Sequence, residues 1–180
     1  MIRPLLALLF AAAVATAATL NVGDAAPTKL SVSFIKGAKV AALDPKKTYV
    51  IEFWATWCGP CKESIPHLTE MQAGLKDDGV TIIGIHVPSG VETADAFVKQ
   101  QGKKMEYTVA KDTRGDVDKA WLKAAGQNGI PCSFVVVNGK VAYIGHPGNL
   151  SEKKIKELMA AAPADPKADP KADPKAPAKK

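Results

Sequence analysis

An α/β fold, with a central mixed and mostly parallel sheet covered by helices on both faces, is predicted by three observations. Apolar β-branched runs of strand length alternate with segments of helical periodicity, the pattern of successive βαβ units. Asn138-Gly139 between two β-branched runs signals a two-residue hairpin, so one strand returns antiparallel. The chain, at 180 residues, holds one domain with a sizeable core and not two.

In order along the chain, residues 18–29 form a lead-in containing Gly23, Asp24 and Pro27. Lys29 to Phe34 alternate apolar and polar, as an edge strand would, and Asp44-Pro45-Lys46-Lys47 is a turn. Tyr49 to Trp54 is a β-branched and aromatic run suited to a central strand. It breaks at Trp57-Cys58-Gly59-Pro60-Cys61, and Lys62 to Lys76 then carries Ile65, Leu68, Met71 and Leu75 along one helical face. Val80 to Val87 is a second strand. Glu92 to Gln101 is a helix with Ala96 and Phe97 inward and Gly102 as its stop. Met105 to Ala110 is a short strand, and Asp116 to Ala125 a helix bearing Val117, Ala120, Trp121 and Ala124. Cys132 to Val137 and Val141 to Ile144 flank the hairpin. Ser151 caps a last helix running to about Ala161, with Leu150 and Ile155 as a hydrophobic staple. That serine also completes the sequon Asn149-Leu150-Ser151, but the cap explains it better.

Both ends are of another nature. Arg3, the apolar run Leu5 to Val14 and Ala15-Thr16-Ala17 have the form of a secretory signal over residues 1–17, too short to span a bilayer; an uncleaved membrane anchor is the alternative. Residues 163–180 repeat Ala-Asp-Pro-Lys, and a proline every fourth residue forbids a helix, so they read as a disordered or polyproline-like tail beyond a domain at 18–162. The formal charge of +6 falls to +5 once Arg3 is removed. With only two Arg and no basic patch interleaved with aromatics, no nucleic-acid partner is expected. Export implies a periplasmic or other extracytoplasmic, oxidising compartment.

The chemistry sits at Cys58 and Cys61. Cys58 follows a strand and Cys61 begins a helix, where unsatisfied backbone N–H groups and the positive end of the helix dipole favour a thiolate. Cys58 is therefore read as the exposed nucleophile toward a substrate disulfide and Cys61 as the thiol that resolves the mixed disulfide. Pro60 suits a first helical turn. A zinc half-site would need further ligands, and Cys132, His67, His86 and His146 lie scattered; a static disulfide would cross-link almost no chain. The redox reading is the stronger, and no metal or cofactor is expected.

Trp54-Ala55-Thr56-Trp57-Cys58-Gly59-Pro60-Cys61 resembles the active-site segment of the thioredoxin superfamily. Pro66 matches the proline that kinks its active-site helix, and Gly129-Ile130-Pro131 matches its cis-proline segment. The lead-in, the signal and a helix–strand unit inserted at about 92–110 bring the chain closer to the secreted TlpA/ResA-like branch. The resemblance implies a thioredoxin fold and several site roles. Glu52 matches the buried acid that relays a proton with Cys61, although thioredoxins carry Asp there. Ile130 and Pro131 would offer main chain to an extended substrate, while Trp57, Gly59 and Pro60 line the substrate side. Cys132 is read as a small buried hydrophobe, with a thiol that tunes the pair as the alternative. His86 is expected at the surface or internally satisfied.

The implied activity is exchange of the Cys58–Cys61 dithiol and disulfide with protein substrates. Gly-Pro between the cysteines resembles the reducing members of the superfamily, and the resemblance alone implies cytochrome c maturation-type substrates. A reductant in an oxidising compartment calls for a membrane electron donor, and the mature protein is expected to be a monomer not inserted in the membrane. Two alternatives stand beside it. One is a thiol peroxidase, which would need Arg114 beside Thr56 and Cys58; the other is a copper-binding thiol module.

Overall fold

The computed structural model describes residues 19–162. The signal assigned to 1–17 and the tail assigned to 163–180 lie outside the described residues. Six strands form one sheet: β1 Ser33–Lys36, β2 Thr48–Trp54, β3 Val80–His86, β4 Thr108–Lys111, β5 Cys132–Val137 and β6 Lys140–Gly145. Their order is β1-β4-β3-β2-β5-β6. The central run β4, β3, β2 is parallel, while β1, β5 and β6 each join antiparallel. The sheet is thus mixed, with parallel pairing confined to the two units that have a helical crossover.

Those crossovers are α1, Gly59–Leu75, between β2 and β3, and α2, Ala94–Gln101, between β3 and β4. Both step the same way along the sheet, and right-handed connections place both on one face. Phe97 of α2 meets Trp54 there, with ring centroids 5.5 Å apart. On the opposite face Trp121 packs edge-on to Phe134 at 5.2 Å, and Phe134 to Phe53 at 5.8 Å. Trp121 belongs to α3, Asp116–Asp118, which continues as a π turn over Lys119–Lys123. A final helix, α4, Glu152–Ala161, packs against α1 and β5.

The central strand β2 is buried at every position because both its faces are covered. Ile65, Leu68, Met71 and Leu75 of α1 are all buried, as their spacing predicts. Two helical faces differ from the sequence expectation. In α2 the inward residues are Ala94 and Val98, with Phe97 half-buried and Ala96 exposed. A short 3₁₀ turn at Val91–Thr93 precedes the helix and resets its phase. In α3 the π turn rotates Ala120 outward and brings Leu122 in beside Trp121. Strand β1 likewise begins at Ser33 and not Lys29; the earlier residues contribute an isolated bridge, Lys29 to Ala42.

The hairpin forms as its dipeptide requires, with φ of 50° at Asn138 and 71° at Gly139. Ser151 accepts the Lys154 N–H at 3.1 Å, and Leu150 and Ile155 are both buried beside it. The lead-in runs along β6: Gly23 N–H donates to the Val141 carbonyl and Ala26 N–H to that of Gly139, burying Leu20 and Ala26. It occupies an edge that would otherwise present free hydrogen-bonding groups.

Candidate active site

β2 ends at Trp54, the chain turns through Ala55-Thr56-Trp57, and α1 starts at Gly59 with Cys58 as its N-cap. Cys58 and Cys61 are joined as a disulfide, with Cα atoms 5.3 Å apart. The Cys61 N–H donates to Cys58 Sγ at 3.2 Å, so an otherwise unpaired donor of the first turn points at the sulfur. That is the arrangement a thiolate on Cys58 needs, because a charge-assisted bond and the helix dipole both favour the anion. Gly59 and Pro60 form the exposed first turn, and Pro66 lies inside the helix. Cys61 is fully enclosed. Cys58, expected to be exposed, retains only 5% of its surface in the disulfide.

What encloses Cys58 is the segment before β5. The Ile130–Pro131 peptide is cis, and the Ile130 carbonyl oxygen lies 3.7 Å from Cys58 Sγ. Trp57 stands on the other side, 59% exposed, with its indole N–H donating to the Ser89 carbonyl at 2.9 Å. Between Trp57 and Ile130 opens a groove of about 510 Å³, whose rim includes Pro88, Leu122, Lys123 and Asn128. Ile130, whose carbonyl faces the sulfur, and Trp57, next to Cys58 in the chain, both line this open groove, a surface that suits an extended polypeptide.

Glu52 lies mid-strand in β2 with 1% of its surface exposed. Among the described residues neither of its carboxyl oxygens has a hydrogen-bond partner. Burial raises its pKa from 4.5 to about 8, which keeps it protonated at neutral pH. Its sheet neighbours are Gly84 and Ser133. A Cβ at Gly84 would come within 2.9 Å of the Tyr107 ring and 3.3 Å of Trp54 Nε1. The Ser133 hydroxyl, the Tyr107 hydroxyl and the Trp54 indole N–H are, like Glu52, buried without partners. Burial, then the nearby Glu52 carboxyl, pushes the Tyr107 phenol well above 10.0. A polar island thus surrounds Glu52 inside the sheet. The sequence singled out only the acid, since Tyr107, Ser133 and Gly84 read as ordinary strand residues until register aligns them.

Cys132 is buried and free, and burial followed by the Glu52 charge lifts its thiol to about 11. It remains a thiol at neutral pH and is no nucleophile in this state. Thr56 bonds its hydroxyl to Thr93 at 2.6 Å, while Arg114 pairs with Asp116 at 2.9 Å on the exposed start of α3. The structure therefore commits Arg114 to a surface ion pair. His67 contacts the Leu150 carbonyl, His146 caps Gly148, and His86 is fully buried and satisfied at the end of β3. Among the described residues no group of three or more His, Cys, Asp or Glu could hold a metal ion.

Comparison with known proteins gives concordant results. The AhpC/TSA family model matches residues 22–144. Protein FixW of Rhizobium leguminosarum is 29% identical over 137 residues, which cover 72% of this chain and 62% of FixW, less than two-thirds of that relative's length. The thiol-disulfide oxidoreductase ResA of Bacillus thuringiensis subsp. konkukian is 32% identical over 124 residues, 68% of each chain. A Chlorobium tepidum structure assigned to the thiol:disulfide interchange protein DsbE superimposes with a TM-score of 0.59 at 28% identity, covering 79% of this chain and 98% of that one.

Proposed function

The chain belongs to the AhpC/TSA family and has the fold and cysteine pair of the thioredoxin-like thiol–disulfide oxidoreductases; from that premise we propose that it reduces disulfides of protein substrates through Cys58 and Cys61. The observation that carries this reading is the Cys58 sulfur itself. It accepts a helix N-terminal N–H on one side and faces the Ile130 carbonyl on the other, and Ile130 with the neighbouring Trp57 lines an open groove.

In the reduced protein the Cys58 thiolate attacks one sulfur of a substrate disulfide, forming a mixed disulfide and releasing the first substrate thiolate. Cys61 then loses its proton and attacks Cys58 Sγ, which closes the intramolecular disulfide and releases the second thiolate. Two electrons pass from the pair to the substrate, whose two thiolates take their protons from solvent. We assign Glu52 to the buried proton: its carboxylate takes the proton of Cys61 in this step. Its acid form returns that proton when a donor thiolate attacks Cys58 and Cys61 leaves. The raised pKa suits both halves, because each form is accessible near neutral pH. The groove beside Trp57, with the Ile130 main chain, seats the extended segment that carries the substrate cysteine.

We place this chemistry outside the cytoplasm, on the resemblance of residues 1–17 to an export signal. No helix among the described residues is long and apolar enough to cross a membrane. A reductant working in an oxidising compartment needs electrons delivered across the membrane, so a membrane-embedded donor is its partner. The substrates are specific protein disulfides, those of cytochrome c maturation among them. The protein acts as a monomer, its β6 edge occupied by its own lead-in.

The test is reduction of insulin disulfides together with the potential of the Cys58–Cys61 couple. The reading expects catalysed reduction and a potential near about −270 mV; a value above about −150 mV reverses the direction.

A further inference from the structure

His86 is the last residue of β3, opposite Trp54 in β2 and Lys111 in β4. Its ring is entirely buried and packs edge-on to the Trp54 ring at 4.8 Å. Both ring nitrogens meet partners that can act in one sense only. Nδ1 lies 2.6 Å from the Val87 carbonyl oxygen, which only accepts, so Nδ1 carries the hydrogen. Nε2 lies 3.0 Å from the Thr56 backbone N–H, which only donates, so Nε2 must be bare. The two contacts together fix one neutral tautomer.

Thr56 is the middle residue of the three-residue turn that links Trp54 to Cys58. Around it the turn is tied from outside by Thr56 Oγ1 to Thr93 and by the Trp57 indole to Ser89. It is closed internally by Cys58 N–H to the Ala55 carbonyl at 3.1 Å. From within the molecule, the side chain that holds a main-chain group of this turn is the His86 ring. Its own strand end is held in turn, with Val87 N–H on the Trp54 carbonyl and Asp112 N–H on the His86 carbonyl.

We infer that His86 is a positioning residue for the redox pair: as the Nδ1–H tautomer it grips the Thr56 amide and so holds the turn that sets Cys58 at the N-terminus of α1. This rests on the redox reading of Cys58 and Cys61 and adds a component that neither the cysteine motif nor the buried acid supplies. A second proton, on Nε2, would set N–H against N–H and open the Thr56 contact. The charged groups that act on the ring are Glu92, from the 3₁₀ turn, and Lys111, from β4 in its pair with Asp95; the carboxylate of nearby Asp112 is taken up by N–H groups of α3. Glu52 sits two residues before Trp54 on the same face of β2. Burial holds the imidazole below its usual pKa and outweighs the opposing pull of the Val87 carbonyl and Glu92, with Lys111 adding to the lowering.

The experiment uses the full chain, ¹⁵N-labelled, with three readouts: the tautomer of His86 from its ring ¹⁵N shifts, hydrogen exchange of the Thr56 amide, and titration of the Cys58 thiolate at 240 nm. His86→Phe keeps the ring shape without nitrogens, and His86→Gln restores an acceptor. The expected results are a bare Nε2 in the wild type and Thr56 exchange at least about tenfold faster in His86→Phe but within about threefold of wild type in His86→Gln. The Cys58 titration should be displaced in the Phe variant and recovered in the Gln variant. Below the His86 titration the wild type should also lose insulin-reduction rate relative to His86→Gln. A protonated Nε2 in the wild type overturns the proposal, as does a folded His86→Phe protein with unchanged Thr56 exchange and thiolate titration. Should His86→Phe not fold, the wild-type tautomer and the Gln comparison still decide. If the Thr56 amide follows His86 but no variant, wild type included, reduces insulin, the redox reading fails while the clamp stands.

Discussion

The Glu52 carboxyl, buried at the middle of β2, is the group whose titration folding changes most plainly. In the unfolded chain it ionises near 4.5, whereas in the folded protein burial delays this to about 8. Below pH 4.5 both states hold the proton and the group exerts no penalty. As pH rises toward 8 only the unfolded state gives it up, so folding stability declines across that window and levels off above it. The loss is at most about 5 kcal/mol. Glu52→Gln removes a proton-binding site from both states. Denaturant titrations at pH 5 and pH 8 should therefore show a wild-type stability drop that is smaller by several kcal/mol in the variant; equal drops would mean that Glu52 is not buried as an acid. In the same variant Cys61 loses its proton partner. We expect turnover in the insulin assay to fall by about 10²-fold near neutral pH, and a fall of less than threefold would remove Glu52 from the proton path.

Among the elements, α3 depends on an acid that no local sequence motif marks. Asp112 follows β4 and is fully buried, and its two carboxylate oxygens accept N–H groups from Arg114, Gly115, Val117 and Asp118 at 2.8–3.3 Å. One side chain thus satisfies the opening donors of the helix that carries Trp121 onto Phe134 and Leu122 to the groove beside Trp57. Asp112→Ala leaves buried N–H groups of Gly115 and Val117 without an acceptor. We expect a loss of about 3 kcal/mol, seen as a fall in Tm of roughly 6–12 °C. Asp112→Asn, which keeps one oxygen acceptor, should lose less. A change in the Ala variant under about 1 kcal/mol would show that the cap is dispensable. The π turn after it is why the face of α3 eluded a 3.6-residue reading: one widened turn shifts every later residue, so Ala120 turns outward and Leu122 inward.

For the molecule as a whole, residues 19–162 contain the six-stranded sheet, helices on both of its faces and the lead-in that covers β6. A chain cut to those residues should fold alone, with a Tm within about 2 °C of the full-length protein and the same Cys58–Cys61 potential. A larger fall in Tm would mean that residues outside 19–162 belong to the folded unit. The described ion pairs sit at the surface, on side chains that keep roughly a quarter or more of their exposure, and add little to this stability. What holds the layers together is burial of β2, β3 and β5 between them.

Local patterns carried far in this chain, because the strand runs, the helical stripe Ile65-Leu68-Met71-Leu75, the Asn138-Gly139 turn and the Ser151 cap each act within a few residues of themselves. The cysteine motif likewise places Cys58 and Cys61 at a helix N-terminus, because that terminus is encoded next to them. Long-range register decided which distant side chains and main-chain groups meet. Only the β2–β3–β5 alignment brings Gly84 and Ser133 beside Glu52. Only the folded sheet brings Ile130 to Cys58 across 72 residues and His86 to Thr56 across 30. A sequence window reports periodicity and propensity, which are nearest-neighbour properties. The partners of a buried polar group are chosen by which strands pair and in what register, a result of packing the whole core at once.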